Sequence, residues 1–166
     1  MNLRVSLAML LAGAGLMGQA TSVLADQAPL PPVTRIEVVL AREYRQNPAP
    51  VKEDFVQAGM SNVHLQFARM GQPPQNIGLG RDVPADKARE AIRLALKYNK
   101  DVTILLPERL FPPRFVTIAS SNFDDTVEFP IDHASLVQLQ DERLSTEEFH
   151  ALYRRLTTPR DAGGRY

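Results

Sequence analysis

The amino-acid sequence predicts a single α+β domain: a mostly antiparallel sheet of about five strands with two main helices packed on it. Three observations lead to this prediction. Several short segments alternate apolar and polar residues, which is typical of half-buried strands. Two longer segments repeat apolar residues at helical spacing. The links between the later strands are short, which favours antiparallel neighbours.

The first residues, 1–25, have the composition of a cleavable secretory signal peptide. A head with one positive charge precedes an uncharged apolar run over 5–17, and Val23 and Ala25 fit a small-x-small cleavage site. A second such site lies at 18–20. The apolar run is shorter than the about 20 residues that span a bilayer, so an uncleaved anchor is the weaker interpretation. We therefore expect an exported chain, periplasmic or secreted.

The predicted domain occupies residues 33–158. A proline-rich lead-in over 26–32 precedes it, and a flexible tail over 159–166 follows it. No segment after the signal peptide is apolar enough to cross a membrane. We expect the mature chain to be soluble and to have no stable membrane span.

The sequence of the first half of the domain predicts a strand, a helix, a second strand and a loop, in that order. Apolar residues alternate over 34–44, which predicts a strand. A short helix is predicted over 51–60. Residues 63–68 alternate more strictly and predict a second strand, with His64 on its polar face. Residues 71–80 are rich in glycine, proline and amide side chains and predict a loop.

The middle of the domain begins with the strongest helix of the chain, over 84–98. Pro84 suits a first helical turn, and a narrow stripe of small residues favours close packing on a sheet. Three strands are then predicted over 102–106, 114–119 and 126–131. Their short links favour a meander, although the helix leading directly into a strand leaves a parallel crossover as the alternative.

The last helix has clear sequence signals at its N-terminus. Ser145 and Glu148 form a capping box, and Leu144 and Phe149 flank it as a hydrophobic staple. The apolar face predicted from Phe149 onward places His150 on the polar side of this helix.

Charge and cysteine content exclude several classes of function. The chain has 19 basic and 19 acidic residues, and removal of the signal peptide takes away only Arg4. Nucleic-acid binding normally needs a basic excess, so we expect no nucleic-acid partner. The absence of cysteine excludes disulfides, thiol chemistry and a lipid anchor on an N-terminal cysteine. No motif indicates a metal or a cofactor, and we expect neither.

Gly78 and Gly80, just before the predicted helix, invite a phosphate-loop interpretation. The dinucleotide fingerprint needs a third glycine where the chain has Val83, and the lysine of the Walker motif is absent. A flexible turn is the better interpretation, although the neighbouring Arg81 keeps anion binding open.

A second candidate site combines acids and a histidine at Asp124, Asp125, Asp132 and His133. Such groups bind a metal or share a proton when a fold brings them together. The strand between them would carry His133 about 20 Å from Asp125, and these residue types are also ordinary in turns. Asp132 also suits a helix cap. This cluster carries the alternative hypothesis, a small exported hydrolase.

The loop over 107–114 is the main candidate binding site. It places Leu110 and Phe111 between prolines, with Arg109 and Arg114 beside them. Large apolar residues in a solvated loop either fold back on the core or contact a partner. Arginine with aromatic residues is typical of protein interfaces. The sequence leaves catalysis open and favours an exported binding or accessory domain with a protein or cell-envelope partner.

Overall fold

The computed structural model of the chain describes residues 33–121 and 128–159. The predicted signal peptide (1–25), the lead-in (26–32) and nearly all of the predicted tail (159–166) lie outside the described residues and stay predictions. The described residues form a single α+β domain, as predicted, and belong to one compact unit.

One mixed sheet of six strands holds the described part of the chain together. The strands are β1 (Arg35–Leu40), β2 (Asn62–Phe67), β3 (Asn76–Leu79), β4 (Ile104–Leu106), β5 (Phe115–Ile118) and β6 (Phe129–Pro130). Their order in the sheet is β2-β1-β5-β3-β4-β6. Strands β1 to β5 place apolar side chains in the core or against it.

The sheet is less antiparallel than the sequence predicted. Among the described strands, β1 pairs in parallel with both β2 and β5, and β3 pairs in parallel with β4. Only the β3–β5 and β4–β6 pairs are antiparallel. The physical reason is that a helix follows β1 and another follows β3, and a helical crossover returns the chain in the same direction. The alternative of a parallel crossover through the helix predicted over 84–98 is therefore correct.

Four helices accompany the sheet in the described residues. The second one buries the predicted stripe of small residues and packs on β3 and β5. No helix in the described ranges is long and apolar enough to cross a membrane. The helices are α1 (Ala49–Gln57), α2 (Ala85–Asn99), α3 (His133–Leu139) and α4 (Thr146–Leu156), and 3₁₀ turns occupy Arg42–Arg45 and Glu108–Leu110.

Two elements lie where the sequence did not predict them. Strand β3 lies inside the segment predicted as a loop over 71–80, and all its residues are buried. Its polar residue is satisfied, because the Asn76 amide donates to the Ser120 carbonyl at 2.8 Å and accepts from the Ser120 amide at 2.9 Å. Helix α3 begins after Asp132, whose carboxylate accepts from the Ser135 amide at 2.6 Å as an N-cap.

Candidate functional site

The loop over 107–114 joins β4 to β5, which are not neighbours because β3 lies between them. The loop therefore passes over β3. Phe111 is partly buried, and its ring stacks on Phe115 with the centroids 6.0 Å apart. Leu110 remains 38% exposed. The two apolar residues of the predicted binding loop thus have different surroundings: Phe111 packs on the sheet, while Leu110 faces outward.

The two arginines of the predicted binding loop also differ. Arg109 is exposed and makes no ion pair with any residue that the structure describes. Arg114 is partly buried, and its carbonyl accepts a hydrogen bond from the Arg35 amide at 3.0 Å. Binding of a partner by these four residues stays a prediction.

The glycines before α2 allow the loop to lie against β3. A Cβ on Gly78 would lie 2.3 Å from the Phe111 ring, and one on Gly80 would lie 1.9 Å from the Pro112 carbonyl oxygen. The Gly80 amide also donates to the Phe115 carbonyl at 2.7 Å. Close approach of two backbone segments is a sufficient reason for glycine at both positions, so the glycines do not need a phosphate to explain them.

Beside this loop lies a cleft of about 560 Å³. Three separate parts of the chain line it: the segment after β3, the loop over 107–114, and the end of α4. We call it the arginine cleft, because an arginine comes from each of those parts. The residues that define it are Arg81, Glu108, Arg109, Phe111, Arg154 and Thr158.

Glu108 forms the buried floor of the arginine cleft. Its side chain is 6% exposed and contacts the ring of His150, which is 3% exposed. The other carboxylate oxygen accepts from Arg154 at 3.3 Å. A buried carboxylate needs such partners, because an unpaired charge is costly away from water. The loop is therefore attached to α4 through Glu108.

His150 has an acceptor at each ring nitrogen. Nδ1 faces the Glu108 carboxylate, and Nε2 lies 2.7 Å from the Val83 carbonyl oxygen. Burial opposes protonation of His150, but the hydrogen bonds to Glu108 and to the Val83 carbonyl outweigh it, so the pKa of His150 is raised. With two acceptors, the ring is best satisfied as the imidazolium, which donates on both sides.

This arrangement is suited to holding the loop rather than to proton transfer. Both nitrogens of His150 are occupied by protein groups, so neither can take a proton from a substrate. Within the described ranges, no group of three or more histidines, aspartates or glutamates is arranged to hold a metal ion. Tyr153, one turn after Phe149, donates its hydroxyl to the Leu106 carbonyl at 2.7 Å and fixes α4 on the sheet.

The prediction that His150 lies on the polar side of α4 is wrong. The buried face of this helix consists of Phe149, His150 and Tyr153, with the buried Thr157 just after the helix end. Leu152 and Leu156 are partly buried and pack against the same core, so the buried face is wider than the apolar residues alone indicate and includes His150. The sequence does carry a signal for this buried face, because Phe149, Tyr153 and Thr157 are spaced four residues apart, as on one side of a helix.

The acid and histidine cluster of the hydrolase hypothesis is only partly described. Asp124 and Asp125 lie outside the described residues. Asp132 caps α3, and His133 is the first residue of that helix. The structure gives Asp132 the role of a helix cap, which the sequence had allowed, and the hydrolase hypothesis stays untested.

Comparison with family models, with curated proteins and with solved structures finds no match for this chain.

Proposed function

We propose that this chain is an exported binding domain that acts by contact with a protein or another cell-envelope component, through the loop over 107–114. The observation that carries the proposal is the exposure of Leu110 on a loop that is otherwise fixed to the domain. An apolar side chain held outward on a rigid loop loses little conformational entropy when a partner covers it.

Three attachments make the loop rigid. Glu108 is held by His150 on α4, the Phe111 ring lies on β3 and against Phe115, and the Pro113 carbonyl accepts from the amide of Asp82 at 2.7 Å. Leu110 lies between these attachments and is not held by them. This supports a role for Leu110 outside the folding of the domain itself.

The proposed export is supported by the composition of residues 1–25, with their charged head, apolar run and small residues before the expected cleavage position. A binding role outside the cytoplasm agrees with a domain that offers a fixed surface loop and a cleft.

A single substitution tests the binding loop. The Leu110→Ser chain, immobilised and exposed to envelope extracts, should lose a partner that the wild-type chain captures. Val137→Ser is the matched control, because Val137 is 55% exposed on α3. Leu110→Ser should lower the free energy of unfolding by no more than about 1 kcal/mol and Val137→Ser by less than about 0.5 kcal/mol, since Leu110 is 38% and Val137 is 55% exposed. Equal capture by the wild-type and Leu110→Ser chains would overturn the proposal.

A further inference from the structure

We propose that the arginine cleft binds an acidic segment of a protein partner, with carboxylates on its arginines and an apolar side chain against Phe111. This proposal rests on the proposed binding function and adds the chemistry of the partner.

The exposed charge of the cleft is positive. Arg81 and Arg109 have exposed side chains, and Arg154 is 55% exposed even while one of its nitrogens contacts Glu108. Among the described residues that line the cleft, Glu108 is the one acid, and it is already paired with His150 and Arg154. Asp82 competes for Arg81 only through a weak surface contact, at 3.8 Å.

The positive charge of the arginine cleft is not a property of the chain as a whole. The whole chain has equal numbers of basic and acidic residues. A second cleft, beside α2, also has two arginines, Arg89 and Arg93. Its lining carries three acids as well (Asp86, Glu90 and Glu142), so that cleft has no positive excess. In the arginine cleft the fold brings together three arginines that lie far apart in the sequence. Guanidinium groups bind carboxylates through paired, charge-assisted hydrogen bonds, so the complementary ligand carries several of them.

The surfaces between the arginines favour a peptide. Pro107, Phe111 and Pro113 line the cleft together with Thr157 and Thr158. The volume of about 560 Å³ is in the range of ligand pockets. A segment that combines carboxylates with an apolar residue matches a lining that combines guanidinium groups with apolar surface. The exposed Leu110, next in the chain to two lining residues, extends the same surface toward the rest of a protein partner.

The walls of the cleft are fixed before binding. The loop is attached to α4 through Glu108 and to β3 through Phe111. Arg154 is oriented by its contact with Glu108. A ligand therefore meets arginines whose backbone positions are already set, which lowers the entropic cost of binding.

The test is an NMR titration of the full chain with the peptide acetyl-Glu-Leu-Glu-Glu-Leu-Glu-amide and with its glutamine counterpart, in which every glutamate is replaced. We expect the acidic peptide to shift the signals of Arg81, Arg109 and Thr158, and the glutamine peptide to shift none of them. Raising the salt concentration should weaken the binding, since the interaction is between charges near the surface. Absence of shifts at these residues would overturn the proposal.

Matched variants separate the cleft from the general charge of the chain. Arg81→Gln and Arg109→Gln should each weaken peptide binding about tenfold, which is typical for loss of one charged hydrogen-bonding partner. Arg155→Gln is the control, because Arg155 is on the same helix as Arg154 but lines a different cleft. It should weaken binding less than about twofold. Equal effects of all three substitutions would overturn the proposal.

Two further probes distinguish other anions. If inorganic pyrophosphate or phosphatidylglycerol vesicles shift the cleft residues while the acidic peptide does not, the acidic-segment proposal is wrong. Failure of the acidic-segment proposal can be told apart from failure of the proposed function. Absence of peptide binding overturns only the proposal for the cleft, whereas unchanged partner capture by the Leu110→Ser chain overturns the proposed role of the binding loop.

Discussion

His150 shows how one buried residue couples the charge of the domain to its stability. Its ring lies between the Glu108 carboxylate and the Val83 carbonyl, with Arg154 on the far side of Glu108. The imidazolium satisfies both acceptors, whereas the neutral ring leaves one of them without a donor. The protonated form therefore stabilises the folded state.

This gives the first prediction, a loss of stability with rising pH. The folded-state pKa of His150 lies above its ordinary value of 6.5. The stabilisation is therefore complete below about pH 6.5 and is lost as the pH rises through the folded-state pKa. Urea unfolding at a series of pH values from 5 to 9 should show the free energy of unfolding falling across that window, on the order of 1 kcal/mol per unit of pKa difference.

Two variants check the origin of this pH dependence. Glu108→Gln removes the charge that favours the imidazolium, so the pH dependence should shrink and stability at low pH should fall by about 1–3 kcal/mol. His133→Gln is the control, because His133 is exposed at the start of α3, and it should leave the pH dependence unchanged. A Glu108→Gln profile parallel to that of the wild type would show that His150 is not responsible.

At the scale of elements, the loop over 107–114 passes across β3, and this contact leads to the second prediction, which concerns Gly78. Gly78→Ala would place a methyl group against the Phe111 ring, and such overpacking costs about 1–3 kcal/mol. In a Phe111→Ala background the ring is gone and the Thr117 methyl, at 3.0 Å, is the close neighbour that stays, so the cost of Gly78→Ala should be smaller. A thermal-unfolding double-mutant cycle on these residues measures the coupling.

Gly80→Ala is the control for that cycle. The atom that it meets is the backbone carbonyl oxygen of Pro112, at 1.9 Å, and a smaller side chain at position 111 does not remove that oxygen. The cost of Gly80→Ala should therefore be similar with or without Phe111→Ala. Equal costs of Gly78→Ala in both backgrounds would contradict the contact between Phe111 and Gly78.

Helix α4 carries the third prediction. Phe149 is fully buried, and the capping box of Ser145 and Glu148 is present as predicted. Phe149→Ala should cost about 3–5 kcal/mol through loss of core packing, and Ser145→Ala about 1 kcal/mol through loss of the cap. Glu147→Ala, on the exposed side, is the control and should change stability by less than about 0.5 kcal/mol. If Phe149→Ala unfolds like the wild type, α4 is not docked on the domain.

For the whole molecule, patterns within one segment of the sequence predicted the elements that form within that segment. The α+β class, helices α2 and α4, and the strands around β1, β2 and β5 follow from periodicity and caps in one segment. Strand β3 was missed because Asn76 and Gly78 lack the side chains typical of strands, and its burial depends on neighbours that are distant in the sequence.

The candidate site was predictable only in part, for the same reason. The loop over 107–114 was selected from its own composition, since apolar residues between prolines are unusual in a solvated loop. Its relation to Arg81 and Arg154 was not predictable, because it depends on the order of strands in the sheet. The strand order brings the loop, the segment after β3 and the end of α4 to one cleft, and no spacing within one segment encodes that order.

The last prediction concerns the proposed export. Expressed in bacterial cells that export it, the chain should be found with a new N-terminus at Asp26, because Val23 and Ala25 supply the small residues that signal peptidases require. N-terminal sequencing and intact mass measure this directly. Ala25→Arg should block that cleavage and leave either the uncut chain or a cut after Ala20, at the second small-x-small position. Asp26→Asn, which leaves the small residues in place, should be processed like the wild type. A wild-type chain that retains residues 1–25 would contradict the export proposal, and would leave the binding loop and the arginine cleft to be tested in another compartment.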